Sequence, residues 1–209
     1  MTDSIYDQLN AYGTVAKQRF VENFSGSALD TDRWATVNSG SGTPTYGMND
    51  SVDGGASIKT STTTSTQGNI TFNDIRPFSP TGSVFIAVIK QTSISNTRLT
   101  AGLVGSSVAS GVNVSRLQGD TVLNTNYRLQ NQNTGSATNT SSTTAVDTSF
   151  HVHKIEEKSS SIDYSVDGSV AVTSTENLPI VQQQPYIGVF TRDTTESEIN
   201  ITYCEAYNT

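Results

Sequence analysis

FHVHKIEEKSSSIDYSVDGSVAVT, residues 150–173, is the stretch that decides the fold. His151, His153 and Ile155 alternate with Val152, Lys154 and Glu156, the period of two that separates the faces of a strand. After a polar tip at residues 158–161 the alternation resumes as Ile162, Tyr164 and Val166. Asp167-Gly168 then reverses the chain, because glycine accepts positive φ without steric cost, and Val170 and Val172 carry the pattern onward. The stretch predicts a three-stranded antiparallel meander.

The same signature recurs on both sides of it. Residues 83–91, SVFIAVIKQ, form a nearly continuous apolar run that suits a central strand. Residues 69–74, 98–104, 112–117, 127–130, 185–191 and 198–206 read as further strands between Gly, Ser and Asn turns. Residues 17–24 predict a first strand with Phe20 and Phe24 in the core. Trp34, the only tryptophan, follows Leu29 by five residues and predicts a core plug under a loop in preference to a sugar-stacking platform. Residues 38–47 read as a loop, residues 61–68 as a loop or an edge strand, and residues 134–144, TGSATNTSSTT, as a mobile loop or an edge strand. One short helix is expected over residues 3–12, where Ile5, Leu9 and Tyr12 fall on one face and Gly13 supplies the stop. A helix so short needs a surface for its apolar face, either its own domain or another chain. The expectation is therefore an all-β antiparallel β-sandwich over residues 17–209, preceded by an N-terminal docking segment, residues 1–16.

Composition narrows the function classes. Hydrophobic residues make up 33% of the chain, and Ser and Thr together roughly 28%, which suits exposed strand faces and turns. A formal charge of −7 with no Lys/Arg cluster in the sequence argues against a nucleic-acid partner. No apolar run approaches the ~18 residues of a membrane span. The first residues, MTDSIYDQLNAYG, show no secretory signal, so synthesis in a cytoplasm is expected. The single cysteine, Cys204, falls in an alternating strand and reads as a buried thiol. Asp50 and Asp53 precede Gly54 with a spacing that departs from a calcium loop and fits a plain turn. His151 and His153 share a strand face, the geometry of two metal ligands, but no third ligand accompanies them and core packing is the expectation. No cofactor or metal is expected.

Two segments resemble the concanavalin A-like lectin and glucanase (LamG-like) superfamily. FSGSALDTDRW, residues 24–34, is similar to the opening motif of such domains, and residues 150–168 are similar to their late hairpin. The resemblance implies a jelly roll. Glucanases of the superfamily carry a Glu-x-Asp-x-Glu strand whose alternation sets two carboxyls on one face; the middle strands here lack it. Glu156-Glu157 point to opposite faces, and Glu196-x-Glu198 lies beside a turn. No glycosidase activity is expected on that ground, and no Gly-x-Ser-x-Gly elbow supports a serine hydrolase.

YDQLNAYGTVAKQRF, ENFSGSALDTDRW and TFNDIRPF also resemble segments of proteins encoded by tailed phages of marine bacteria, in which such domains decorate the virion. That resemblance implies a non-enzymatic virion structural or decoration protein, docked on capsid or tail through Ile5, Leu9 and Tyr12. Its implied partners are other virion proteins, a cell-surface glycan and further copies of itself. The alternative is a lectin-like carbohydrate-binding module, for which Tyr46, Tyr127 and Arg128 are the candidate glycan contacts.

Overall fold

The computed structural model describes residues 18–48, 55–105 and 113–209. The helix expected over residues 3–12, with Ile5, Leu9 and Tyr12, and the turn at Asp50 and Asp53 lie outside the described residues. What is described is all-β. Its strands are β1 (Arg19–Glu22), β2 (Ala35–Ser39), β3 (Thr45–Met48), β4 (Ala56–Lys59), β5 (Gln67–Thr71), β6 (Ser83–Gln91), β7 (Thr97–Val104) and β8 (Val114–Gly119). They continue with β9 (Asn126–Gln132), β10 (Thr138–Ala145), β11 (His151–Glu157), β12 (Ile162–Val166), β13 (Ser169–Ser174), β14 (Gln184–Thr191) and β15 (Glu198–Asn208).

Two antiparallel sheets face each other. One runs β13-β12-β11-β6-β15-β4-β3, with β1 on the free half of β15, and the other runs β10-β9-β8-β7-β14-β5-β2. The expected meander is present as β11, β12 and β13, with Asp167 and Gly168 both at positive φ in the second turn. The apolar run of β6 takes the expected central place between β11 and β15. Period-two alternation delivers Phe85, Ala87 and Ile89 from β6, Ile155 from β11 and Ile199 and Ile201 from β15 to the interior, all fully buried. Leu99, Ala101, Leu103, Leu117, Leu129, Ile187 and Val189 meet them from the facing sheet. Trp34 is the core plug expected of it, packed against Phe20, Phe24 and Phe72.

Several local expectations shift. Residues 38–47 are no single loop, because β2 and β3 flank a turn there and pair with β5 and β4. Residues 134–144 supply the edge strand β10. The strand expected at residues 69–74 ends at Thr71, where Asn73 and Asp74 turn into positive φ.

Three titratable groups of β11 sit inside or at the rim of the interior. His153 is fully buried between Tyr127 and Tyr164, its Nδ1 2.9 Å from the Tyr164 hydroxyl, and burial drives its pKa down to about 3. Two residues earlier on the same face, His151 stands between Asp167, 2.6 Å from Nδ1, and Asp147, 3.0 Å from Nε2. Burial pulls the His151 imidazole down, but the two carboxylates more than offset it and leave it above its ordinary value. At the other end of β11, Glu157 is 1% exposed beside Ser115 and Gln183, and burial pushes its carboxyl up to about 8.

These shifts set two pH dependences of stability. For Glu157 the unfolded chain ionises first as pH rises, so the residue is neutral in both states below about 4.5 and destabilises progressively from there to about pH 8. Thermal melts of Glu157→Gln should show a Tm several degrees above that of the parent at about pH 8 and little gain at about pH 4; equal gains at both would contradict this. For His151 the raised pKa gives a contribution that is complete below the unfolded value and lost as pH rises through the folded one. Denaturant unfolding of His151→Asn should therefore show a deficit of about 0.5–1 kcal/mol near pH 6 that shrinks in alkaline buffer, and a deficit that grows with pH would refute the ion pair.

Candidate functional site

The chemistry-bearing surface is the outer face of the sheet that contains β7, β8, β9 and β14. With Leu99, Leu117, Leu129 and Ile187 turned inward, parity turns Arg98, Thr100, Arg116, Gln118, Arg128, Gln130, Tyr186 and Phe190 outward. Arg-Leu-Gln occurs twice, at residues 116–118 and 128–130, on neighbouring antiparallel strands whose register pairs Arg116 with Gln130 and Gln118 with Arg128. Each arginine thereby meets the other copy's glutamine. Arg116 Nε donates to Gln130 Oε1 at 2.7 Å, and Arg128 Nε donates to Gln118 Oε1 at 2.7 Å. Gln118 Nε2 also donates to Gln130 Oε1 at 3.1 Å, and Gln130 Nε2 donates to Asn139 Oδ1 at 3.0 Å, which extends the lattice of planar groups to β10.

Across β7, the centre of the face is kept low by two glycines. Gly102 is the cross-strand partner of both Tyr186 and Arg116. Gly188 lies under Asn69, and a Cβ built there would stand 2.0 Å from Asn69 Oδ1. That oxygen accepts from the Tyr186 hydroxyl at 2.6 Å and from Gln67 Nε2 at 2.9 Å, while Asn69 Nδ2 donates to the Val37 carbonyl at 3.0 Å. At the end of the face the Arg98 guanidinium lies 4.4 Å from the centroid of Phe190, with Arg192 5.8 Å from the same ring. Arg192 also forms a bidentate pair with Asp120, which is 2% exposed.

The electrostatics of the face are lopsided. Burial lowers the pKa of Arg98, Arg116 and Arg128 from the usual arginine value, and for Arg98 and Arg128 the neighbouring guanidiniums add to the effect while Asp120 opposes it. Tyr186, Asn69, Gln118 and Arg116 form a floor at 9% exposure or less, and Arg128, Gln130, Phe190 and Arg192 stand half-buried above it. Such a surface can stack against a flat ligand, donate to its oxygens and accept from its hydroxyls.

Of the residues expected to contact glycan, only Arg128 lies on this face. Tyr127 points the other way and is fully buried, its ring 5.0 Å from that of His153. Tyr46 reaches between the sheets: its hydroxyl donates to Asn38 Oδ1 at 2.5 Å and accepts from the Asn69 backbone N–H at 3.1 Å, and burial pushes it up to about 12. Gln130, on the same strand as Arg128, is available to the sequence reading, whereas Arg116, Gln118, Asn69 and Tyr186 escape it. The duplicated Arg-Leu-Gln, read with strand parity, is the signal that reveals Arg116 and Gln118.

Carboxylates come together away from this face: Asp147 and Asp167 both bond His151, and Glu156 is the cross-strand partner of Asp163. Glu157 is interior, Glu156 pairs with Lys154 at 2.8 Å, and Glu196 and Glu198 flank Lys59 at 4.0 and 3.5 Å. Asp74 bonds Gln184 at one end of β14 and Asp120 bonds Arg192 beyond the other, about 25 Å of extended chain away.

No protein-family model matches the chain, and no curated protein matches it in sequence. Solved structures match it in fold. An endo-acting O-glycanase of the human gut microbiota, described as initiating mucin breakdown, superposes with a TM-score of 0.69 at 10% identity, over 91% of this chain and 98% of that one. The apo Crh5 transglycosylase gives 0.62 at 15% identity, over 91% and 84%. A Bacillus licheniformis β-glucanase gives 0.61 at 11% identity, over 91% and 98%. The fold is thus the jelly-roll sandwich of glucanases, as the late hairpin implied. The same matches correct the expectation of a non-enzymatic virion decoration protein: the architecture that this chain shares with them over about nine-tenths of its length belongs, in those structures, to glycan-processing enzymes. Missing Glu-x-Asp-x-Glu spacing led to the non-enzyme expectation, but a motif absent from a sequence does not identify what the folded sheet face does.

Proposed function

We propose that the chain is a carbohydrate-active protein that seats a glycan across the outer face of β14, β7, β8 and β9. The observation that carries this reading is the lattice formed by the two Arg-Leu-Gln copies. A sugar presents alternating donors and acceptors around a ring, and fixed guanidinium and amide planes of known spacing meet that pattern better than flexible serines or lysines do. Phe190 supplies an apolar plate beside the lattice, and Gly188 lets the Asn69 amide lie close over the strand in the floor of the face. The likeness of fold to glycanases and glucanases supports the same class of ligand.

Affinity electrophoresis through gels containing a panel of neutral and acidic polysaccharides tests the reading. At least one polysaccharide should retard the protein. Gln130→Ala and Asn139→Ala, which strip planar groups from the half-open edge of the lattice, should weaken that retardation about 5- to 10-fold. Lys154→Ala, on the other sheet, should leave it unchanged. Free migration in every gel, or equal retardation of all four proteins, would remove the assignment.

A further inference from the structure

We propose that the glycan seated on this face is anionic, carrying carboxylate or sulfate groups that dock between Arg98, Arg116 and Arg128. The inference rests on the glycan reading above and adds the chemistry of the ligand. The protein as a whole carries a formal charge of −7, yet four of its twelve basic residues, Arg98, Arg116, Arg128 and Arg192, gather on one sheet face. Among the described residues, Asp120 is the carboxylate that neutralises them, and Arg192 occupies it through two nitrogens. Three guanidiniums are left facing amides and an aromatic ring.

Such an arrangement is unfavourable without a counter-charge. Like charges at short range repel, and desolvation adds to the cost of each. The strain is visible at Arg98: its Nε is buried and has no hydrogen-bond partner, while its plane is spent on Phe190. Arg116 and Arg128 each place Nε on a glutamine carbonyl, a neutral acceptor with about half the strength of a charged one. An oxyanion has the three-oxygen or two-oxygen geometry that guanidinium forks bind, and it would satisfy the orphaned Arg98 Nε and offset the mutual repulsion in one step. Burial lowers the pKa of Arg98, Arg116 and Arg128, neighbouring guanidiniums add to it at Arg98 and Arg128, and an anion bound among them would oppose both effects. An overall acidic chain repels polyanions elsewhere on its surface, so any attachment of one is directed to this face.

Titration calorimetry with matched ligands tests the inference. The probes are dextran, dextran sulfate, polygalacturonate and laminarin, at low and at raised salt. Binding of polygalacturonate or dextran sulfate, weakened about 10-fold or more by Arg128→Gln and by Arg98→Gln and by added salt, is the expected result; which of the two binds tells carboxylate from sulfate. Arg98→Lys keeps the charge and loses the fork, and should fall between. Circular dichroism melts of each variant identify any that fails to fold, and Arg128 stands half-buried at the rim of the face where Arg116 lies in its floor. Binding of laminarin or dextran at equal strength, indifferent to these arginines, would leave the glycan reading standing and overturn the anionic one. Binding of none of the four would overturn both.

Discussion

The reciprocal pairing of Arg116 with Gln130 and of Arg128 with Gln118 ties the register of β8 and β9 to the layout of both faces. A slip of β9 by one residue would turn Leu129 to solvent and drive the Arg128 guanidinium into the interior. Burying an unpaired charge costs several kcal/mol or more, so the misregistered pair is excluded by the same side chains that build the site. Core and surface are two readings of one alignment, and the rest of the sheet follows from it: β7 pairs with β8, and β14 with β7.

The interior accepts polar groups at its ends and rim. Glu157, Ser115 and Gln183 lie at one end, and His153 with Tyr164 further along β11. Each is tolerated by being neutral: burial holds His153 unprotonated and Glu157 protonated in mildly acidic to neutral solution. Among the described residues a concentrated positive region, Arg98, Arg116, Arg128 and Arg192, stands on the outer face of the sheet opposite the strands that bear the paired histidines.

Much of this architecture was legible in the sequence because it follows from period two. The meander at residues 150–173, the central place of residues 83–91 and the burial of Trp34 all rest on side chains that have only one favourable side to face. The loops were harder. Ala35–Ser39 and Thr45–Met48 are short and rich in small polar residues, and they form strands because β5 and β4 offer unpaired edges, which is tertiary information. The candidate site was half legible. Arg128 stood out beside Tyr127, but Asn69 and Tyr186 join it only through strands far apart in the chain, and Tyr127 reads as a binding residue until parity turns it inward. The expectation of a non-enzyme follows from the missing Glu-x-Asp-x-Glu spacing along one strand, whereas the outer face is assembled from β5, β7, β8, β9, β10 and β14.

The first and last strands of the described chain lie side by side, Arg19–Glu22 against residues 204–207, and β15 also fills the gap between β6 and β4. β15 joins the two halves of that sheet and is made after every other described strand, so until it arrives β6 and β4 present raw edges. Long-range closure of this kind is slow. The lone tryptophan is placed to watch it: Trp34 touches Phe20 on β1, edge to face at 5.4 Å. β1 in turn has its place only once β15 has arrived. Intrinsic fluorescence from that one indole is consequently an optical clock for the final stitch of the fold, with no label required.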